Sequence, residues 1–349
     1  MAKKTTKKQS QKKTKKKQAI PKQSLIQSDV FGEQLHVNLN RVYPMVVAAT
    51  MSSGKSTLIN ALLGTDILPS KNEACTAKVF AILDDDTCDN TKLILTKNDG
   101  EIITIEENVD DALTEANNSD DISNIFIIGK VKGVTNTDKS LLIIDTPGPN
   151  NSMDSKHEEV TTQVLCKLSG GLLAYVINAT NIGADDDFEF LTFIKNKTTE
   201  NPNLDVVFIV NKIDEIDFEE ESIENIMLHI RSYITDAGFE SPTIIPISAL
   251  SAKLFKKAIN GDKLTRREYQ EFASSYDLFR PMDNSLSTYV IEGGVLDTKE
   301  EIAINGEKYI KANIEAAIEN TGLPYLERYI QQKQIQSTKH KKISIRKNS

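Results

Sequence analysis

Five short apolar runs punctuate the chain. Val46-Val47-Ala48, within a strand over about 44–49, is the first; Leu141–Ile144, Gly171–Ala179, Val206–Val210 and Thr243–Ile247 follow. None alternates with polar residues, so each predicts a strand covered on both faces. Between the later runs the apolar positions take a helical period. Ile223, Ile226, Met227, Ile230 and Ile234 show it most clearly. Strands alternating with helices predict a mostly parallel α/β sheet flanked by helices, joined by right-handed crossovers.

The first and second runs are far apart, and the intervening pattern differs. Lys78–Leu83 predicts a strand. Lys92–Thr96 and Glu101–Ile105 flank Asn98-Asp99-Gly100, a hairpin signal. An acidic helix over 107–122 and a strand over 125–134 follow. The parallel sheet is therefore extended by antiparallel strands. Residues 251–305 are polar and predict two short helices, then a loop around Pro281 and Gly293-Gly294. Ile310, Ile314, Ala317 and Ile318 form one helical face. Gly322 ends it, and Pro324 takes the first position of a last helix.

Charge divides the chain further. Its 349 residues carry a net −8, but residues 1–22 hold ten Lys and no acid, and 333–349 hold six cations and no acid. The body between them therefore stands at −24. Three units follow: a disordered basic arm over 1–23, a globular domain over 24–335 and a basic, frayed tail over 336–349. The arm admits two readings. One is an electrostatic contact with an anionic membrane or nucleic acid, at about 1 kcal/mol per Lys near a membrane; the other is a solubilising tail. Three scattered cysteines, Cys75, Cys88 and Cys166, suit reduced thiols and a cytoplasmic location. No run approaches the roughly 18 apolar residues of a membrane span, and no apolar stretch follows the first lysines as in a secretory signal. Peripheral membrane association through the arm stays open.

The candidate chemistry sits where the apolar runs end. Ala49-Thr50-Met51-Ser52-Ser53-Gly54-Lys55-Ser56-Thr57 turns a strand into a helix. Such a turn aims backbone N–H groups and a positive helix end at a phosphate. Lys55 reaches the β- and γ-phosphates and the Ser56 hydroxyl suits Mg²⁺. Ala49 stands where the full pattern has Gly. Asp145-Thr146-Pro147-Gly148 ends the second run: Asp145 suits Mg²⁺ through a water, and Gly148 can bring its N–H against a γ-phosphate. Thr76, in the loop before the next strand, can bring a hydroxyl to Mg²⁺. Asn211-Lys212-Ile213-Asp214 ends the fourth run. Asp214 can accept from N1–H and the exocyclic amine of guanine, a donor pair adenine lacks. Lys212 can lie over the base, Asn211 can tie this loop to the phosphate loop, and Ser248-Ala249 can offer a backbone N–H to the guanine O6. Four motifs at strand ends predict a GTP/GDP site there.

Two other features carry blander readings. The four histidines and three cysteines show no metal-ligand spacing. Asp185-Asp186-Asp187 opens a helix, where acids suit the dipole.

The motif set resembles the GTPase superfamily, and the 90 residues from Lys55 to Asp145 narrow the likeness. Ser52–Gly64 with Leu68-Pro69, Thr76 and Asp145–Pro149 is similar to dynamin-superfamily GTPase domains of the bacterial dynamin-like type. The resemblance covers about 43–250, and Gly322–Glu327 is similar to the helix that closes such domains. It implies a P-loop GTPase sheet that hydrolyses GTP to GDP and phosphate with Mg²⁺ and dimerises across the nucleotide. It also implies catalytic roles for Lys55, Ser52, Thr76 and Gly148. Ser52 matches a position that helps bind a monovalent cation such as K⁺, and Thr76 matches a switch threonine. Two departures stand out. Met51 replaces a water-orienting Gln, and the residues after the domain leave no room for a stalk. A GTP-dependent switch that presents a surface to a protein partner, with negligible hydrolysis, is the alternative.

Overall fold

The computed structural model describes residues 38–68, 79–88, 90–146, 155–183, 185–217, 222–280, 286 and 301–347. The basic arm 1–23, the loop carrying Thr76, Gly148 with Pro147, and the Pro281 and Gly293-Gly294 positions lie outside the described residues.

The strands are β1 (Val42–Ala49), β2 (Val79–Asp84), β3 (Lys92–Lys97), β4 (Ile102–Ile105), β5 (Ile122–Gly129), β6 (Ser140–Asp145), β7 (Gly171–Asn178), β8 (Leu204–Asn211) and β9 (Thr243–Pro246). They form one sheet in the order β4-β3-β5-β2-β6-β1-β7-β8-β9. From β6 to β9 every neighbouring pair is parallel. β2 runs antiparallel to β6 and parallel to β5, while β3 runs antiparallel to both β4 and β5. The hairpin falls where Asn98-Asp99-Gly100 places it. β1 has β6 on one side and β7 on the other, which makes it the point where the strand order reverses.

Nine helices are described: α1 (Lys55–Leu63), α2 (Val109–Asn118), α3 (Ser155–Lys167), α4 (Asp185–Glu200), α5 (Ile223–Asp236), α6 (Ala249–Asn260), α7 (Arg266–Phe279), α8 (Lys311–Asn320) and α9 (Leu323–Lys347). The buried runs split by side-chain parity, because successive residues of a strand face opposite ways. In β1, Tyr43, Met45, Val47 and Ala49 pack with Leu58 and Leu62 of α1 and Leu326 and Ile330 of α9. Val42, Val46 and Ala48 join the other core, with Leu191 of α4, Ile230 of α5 and Phe272 of α7. Two cores on one sheet explain why these strands show no polar alternation.

Several sequence-based bounds move. The strand expected over 125–134 is β5, which ends at Gly129 before a turn. The acidic helix spans only Val109–Asn118. Glu301–Ile304 and Glu307–Ile310 form a separate two-stranded hairpin, β10 and β11, whose short strands carry too little pattern to be seen. Ile310 belongs to that hairpin rather than to α8, and it is exposed. Pro324 is the second residue of α9. That helix continues to Lys347, so the tail expected to fray is helical. No described helix is long and apolar enough to cross a membrane.

Asp84, at the end of β2, is fully buried. Its Oδ1 accepts from the Val131 N–H at 2.8 Å, while Oδ2 has no hydrogen-bond partner among the described residues. Burial first, then the neighbouring Asp86, pushes its carboxyl up to about 6, against the opposing Val131 bond. The folded value lies above the unfolded one, so folding takes up a proton. The stabilisation is complete below about pH 4 and is lost as pH rises through about 6, at roughly 3 kcal/mol in all. Asp84→Asn should therefore gain Tm relative to wild type as pH goes from about 4.5 to 7.5. A Tm difference independent of pH would rule this out.

Candidate functional site

The loop from β1 into α1 is shaped by its backbone. Ser52 (φ 64°) and Gly54 (φ 87°) both take the left-handed conformation. For serine that costs on the order of 1 kcal/mol, which surrounding contacts must offset. Such alternation turns successive N–H groups into a concavity suited to an anion, at the N-terminus of α1. The Ser53 hydroxyl donates to the Thr50 carbonyl at 2.8 Å and closes the loop on itself. Gly54 is demanded by space as well as by φ: a Cβ there would lie 2.3 Å from Asn211 Nδ2. Lys55, Ser56 and Thr57 form the first turn of α1 and are partly exposed.

Asp145 closes the other side. It ends β6, adjacent and parallel to β1, and its carboxylate pairs with the Lys55 ammonium. Burial pushes the Asp145 carboxyl up and Lys55 pulls it back down. The next residue anchors the strand end: Thr146 Oγ1 donates to the Val47 carbonyl at 3.0 Å. Ser56 and Asp145 offer one hydroxyl and one carboxylate. Such a small oxygen set fits Mg²⁺, which keeps most of its waters. Thr76 and Gly148, which would complete this side, lie outside the described residues. Among the described residues no group of three or more His, Cys, Asp or Glu is arranged to hold a metal by itself.

On the far side of β1, Asn211 at the end of β8 joins two loops. Its Nδ2 donates to the Ser53 carbonyl at 2.9 Å, and its Oδ1 accepts from the Ala249 N–H at 3.0 Å. One buried amide thereby holds the phosphate loop and the Ser248-Ala249 loop in register. Ser248 is the N-cap of α6, its hydroxyl accepting from the Ser251 N–H, and its own N–H donates to the Thr321 carbonyl at 2.9 Å. The Ser248 and Ala249 amides are thus both engaged within the protein. Asp214 is half-buried. Burial raises its carboxyl, and a bond from the Ser248 hydroxyl works against that rise. Lys212, in the left-handed conformation, places its ammonium 3.4 Å from Glu215. Lys55 and Asp214 therefore stand at the same end of one sheet.

One residue of this neighbourhood escaped the sequence reading. Asp185 does open α4, but Asp187 is buried and touches the phosphate loop. Its Oδ1 accepts from Thr50 Oγ1 at 3.0 Å. The signal was present: Asp187, Phe190, Leu191 and Ile194 recur at helical spacing, and all four are buried. An acid in register with an apolar stripe needs a partner, because an unpaired buried carboxylate is costly. Met51, by contrast, is 55% exposed.

Residues 45–213 match the Dynamin family. Dynamin-like protein A of Bacillus subtilis (strain 168) is 27% identical over 189 residues, which is 54% of this chain and 15% of that protein. Sulfate adenylyltransferase subunit 1 of Bacteroides fragilis (strain YCH46) is 26% identical over 155 residues, 43% of this chain and 29% of that protein. The chain thus spans well under a third of either curated relative. Among solved structures, an oligomerised bacterial dynamin pair superposes with a TM-score of 0.42 at 18% identity, covering 70% of this chain and 41% of that one. The matched segment runs from inside β1 to Ile213, one residue short of Asp214, and so carries two of the four motifs whole and most of a third. Over residues 45–213, then, the chain is similar to dynamin-family GTPase domains of the bacterial dynamin-like type.

Proposed function

We propose that this domain binds GTP across the ends of β6, β1, β8 and β9 and hydrolyses it with Mg²⁺. The observation that carries the reading is the Asn211 side chain, which fastens the loop of Lys55 to the loop beside Asp214. One nucleotide can then meet both.

Each residue has a task on this reading. The amides of Ser52 to Ser56 cradle the phosphates, and Lys55 leaves Asp145 to neutralise the β- and γ-oxygens. Asp214 accepts from the guanine edge, Lys212 covers the base, and Ser248 and Ala249 line the base pocket while their amides stay with Thr321 and Asn211. Ser56, Asp145 and Thr76 would hold Mg²⁺, which supplies charge neutralisation and orientation at the phosphates. Gly148 would bring its N–H to the γ-phosphate, and Ser52 would help bind a K⁺ ion. Catalysis then comes from positioning and charge rather than covalent chemistry.

Met51 tempers the rate. Its exposed thioether cannot orient an attacking water, which favours either a completing second copy across the nucleotide or the alternative reading of a GTP-dependent switch. Phosphate release measured with Mg²⁺ and K⁺ over rising protein concentration separates them. The hydrolytic reading expects turnover absent in Lys55→Ala and specific activity that rises with concentration. GTP binding with release no faster than in Lys55→Ala would leave only the switch.

A further inference from the structure

Asp187 has more partners than a helix-opening acid needs. Its Oδ1 accepts from Thr50 Oγ1 at 3.0 Å and from the Tyr175 hydroxyl at 3.0 Å. Its Oδ2 accepts from the Tyr233 hydroxyl at 2.8 Å. The residue is 6% exposed. Three hydroxyls from three different elements therefore converge on one carboxylate: the phosphate loop, β7 and α5. Burial and the Asp187 charge hold both tyrosines well above the ordinary phenol range, so each remains a donor.

An ionised carboxylate only accepts. All three hydroxyls must then donate to it, which fixes the Thr50 side chain and, through it, the first peptide of the phosphate loop. The bonds continue from there. The Thr50 carbonyl takes the Ser53 hydroxyl, the Ser53 carbonyl takes Asn211 Nδ2, and Asn211 Oδ1 takes the Ala249 N–H. These bonds run in series, so the loop cannot rotate at one end without breaking a bond at the next.

We propose that Asp187 is a positioning residue for the nucleotide: through Thr50 it pre-sets the phosphate loop in its anion-accepting shape and couples that loop to α4 and α5. This rests on the GTP-binding reading above. Asp187 touches no nucleotide atom and its charge would repel phosphate. Its contribution is the cost it removes, since a loop already in the bound conformation is not ordered at the expense of binding energy.

The test is a double-mutant cycle on binding of fluorescent GTP and GDP analogues by the full chain, with melting followed without nucleotide. Thr50→Val keeps shape and deletes one hydroxyl; Asp187→Leu removes the common acceptor. Each should weaken both nucleotides about 10-fold, roughly 1.4 kcal/mol. The double variant should be no worse than the weaker single, because both cut the same bond. Thr50→Ser restores the hydroxyl and should bind within about 2-fold of wild type. Tyr233→Phe, remote from the loop, should weaken binding about 3-fold and serves if Asp187→Leu does not fold. Wild-type affinity in Thr50→Val, or fully additive losses in the cycle, would overturn the positioning role while leaving GTP binding intact. Failure of the wild-type chain to bind guanine nucleotide would instead overturn the reading on which it rests.

Discussion

Asp214→Asn is expected to lower GTP affinity by about 10²- to 10⁴-fold and to raise affinity for xanthosine triphosphate over GTP. The carboxylate sits half-buried at the end of β8, with Ser248 beside it. Hydrogen bonds to a charged group are worth about 1.5–3 kcal/mol each, and guanine offers two donors. Asn keeps one acceptor and replaces the other with a donor, which meets an N–H of guanine head-on. Xanthine carries a carbonyl where guanine has its amine, so the same Asn donor is satisfied. Competition binding with the two triphosphates reads the outcome. Equal loss for both would show that Asp214 supports the loop rather than reads the base.

The second large effect is expected at Gly54. A Gly54→Ala change should abolish measurable nucleotide binding, a loss of about 10³-fold or more, while the sheet and cores still fold. Two costs act together. The left-handed φ of 87° disfavours any side chain, at roughly 1–2 kcal/mol. The added methyl would also stand 2.3 Å from Asn211 Nδ2. Asn211 must then move, and its bonds to the Ser53 carbonyl and the Ala249 N–H go with it. Leaving those buried groups unpaired costs about 1–3 kcal/mol each. Binding measured beside a far-ultraviolet spectrum separates a displaced loop from an unfolded chain. Binding within 10-fold of wild type would show that Asn211 gives way cheaply and does not clamp the loops.

Both predictions concern residues visible in the sequence; what the structure adds is their mutual contact. Gly54 and Asn211 are 157 positions apart, and no local pattern says that one side chain occupies the space the other lacks. Asp187 shows the same limit differently. Its helical register with Phe190, Leu191 and Ile194 marks it as inward-facing, yet only the packing of α4 against β1 and α5 shows that Thr50 and Tyr233 await it.

The amino-acid pattern alone was enough for the parallel core, the NDG hairpin and the order of the motifs along the chain. Strand burial, turn chemistry and helical period are local consequences of which side chains avoid water and which backbone angles glycine allows. Tertiary structure decided that β2 runs antiparallel beside β6, that a small hairpin precedes α8, and that a carboxylate on α4 steadies the loop after β1. Those outcomes depend on which surfaces remain to be covered and which buried polar atoms still need partners once the chain has closed. Such balances are struck between residues far apart in sequence, where no local pattern records them.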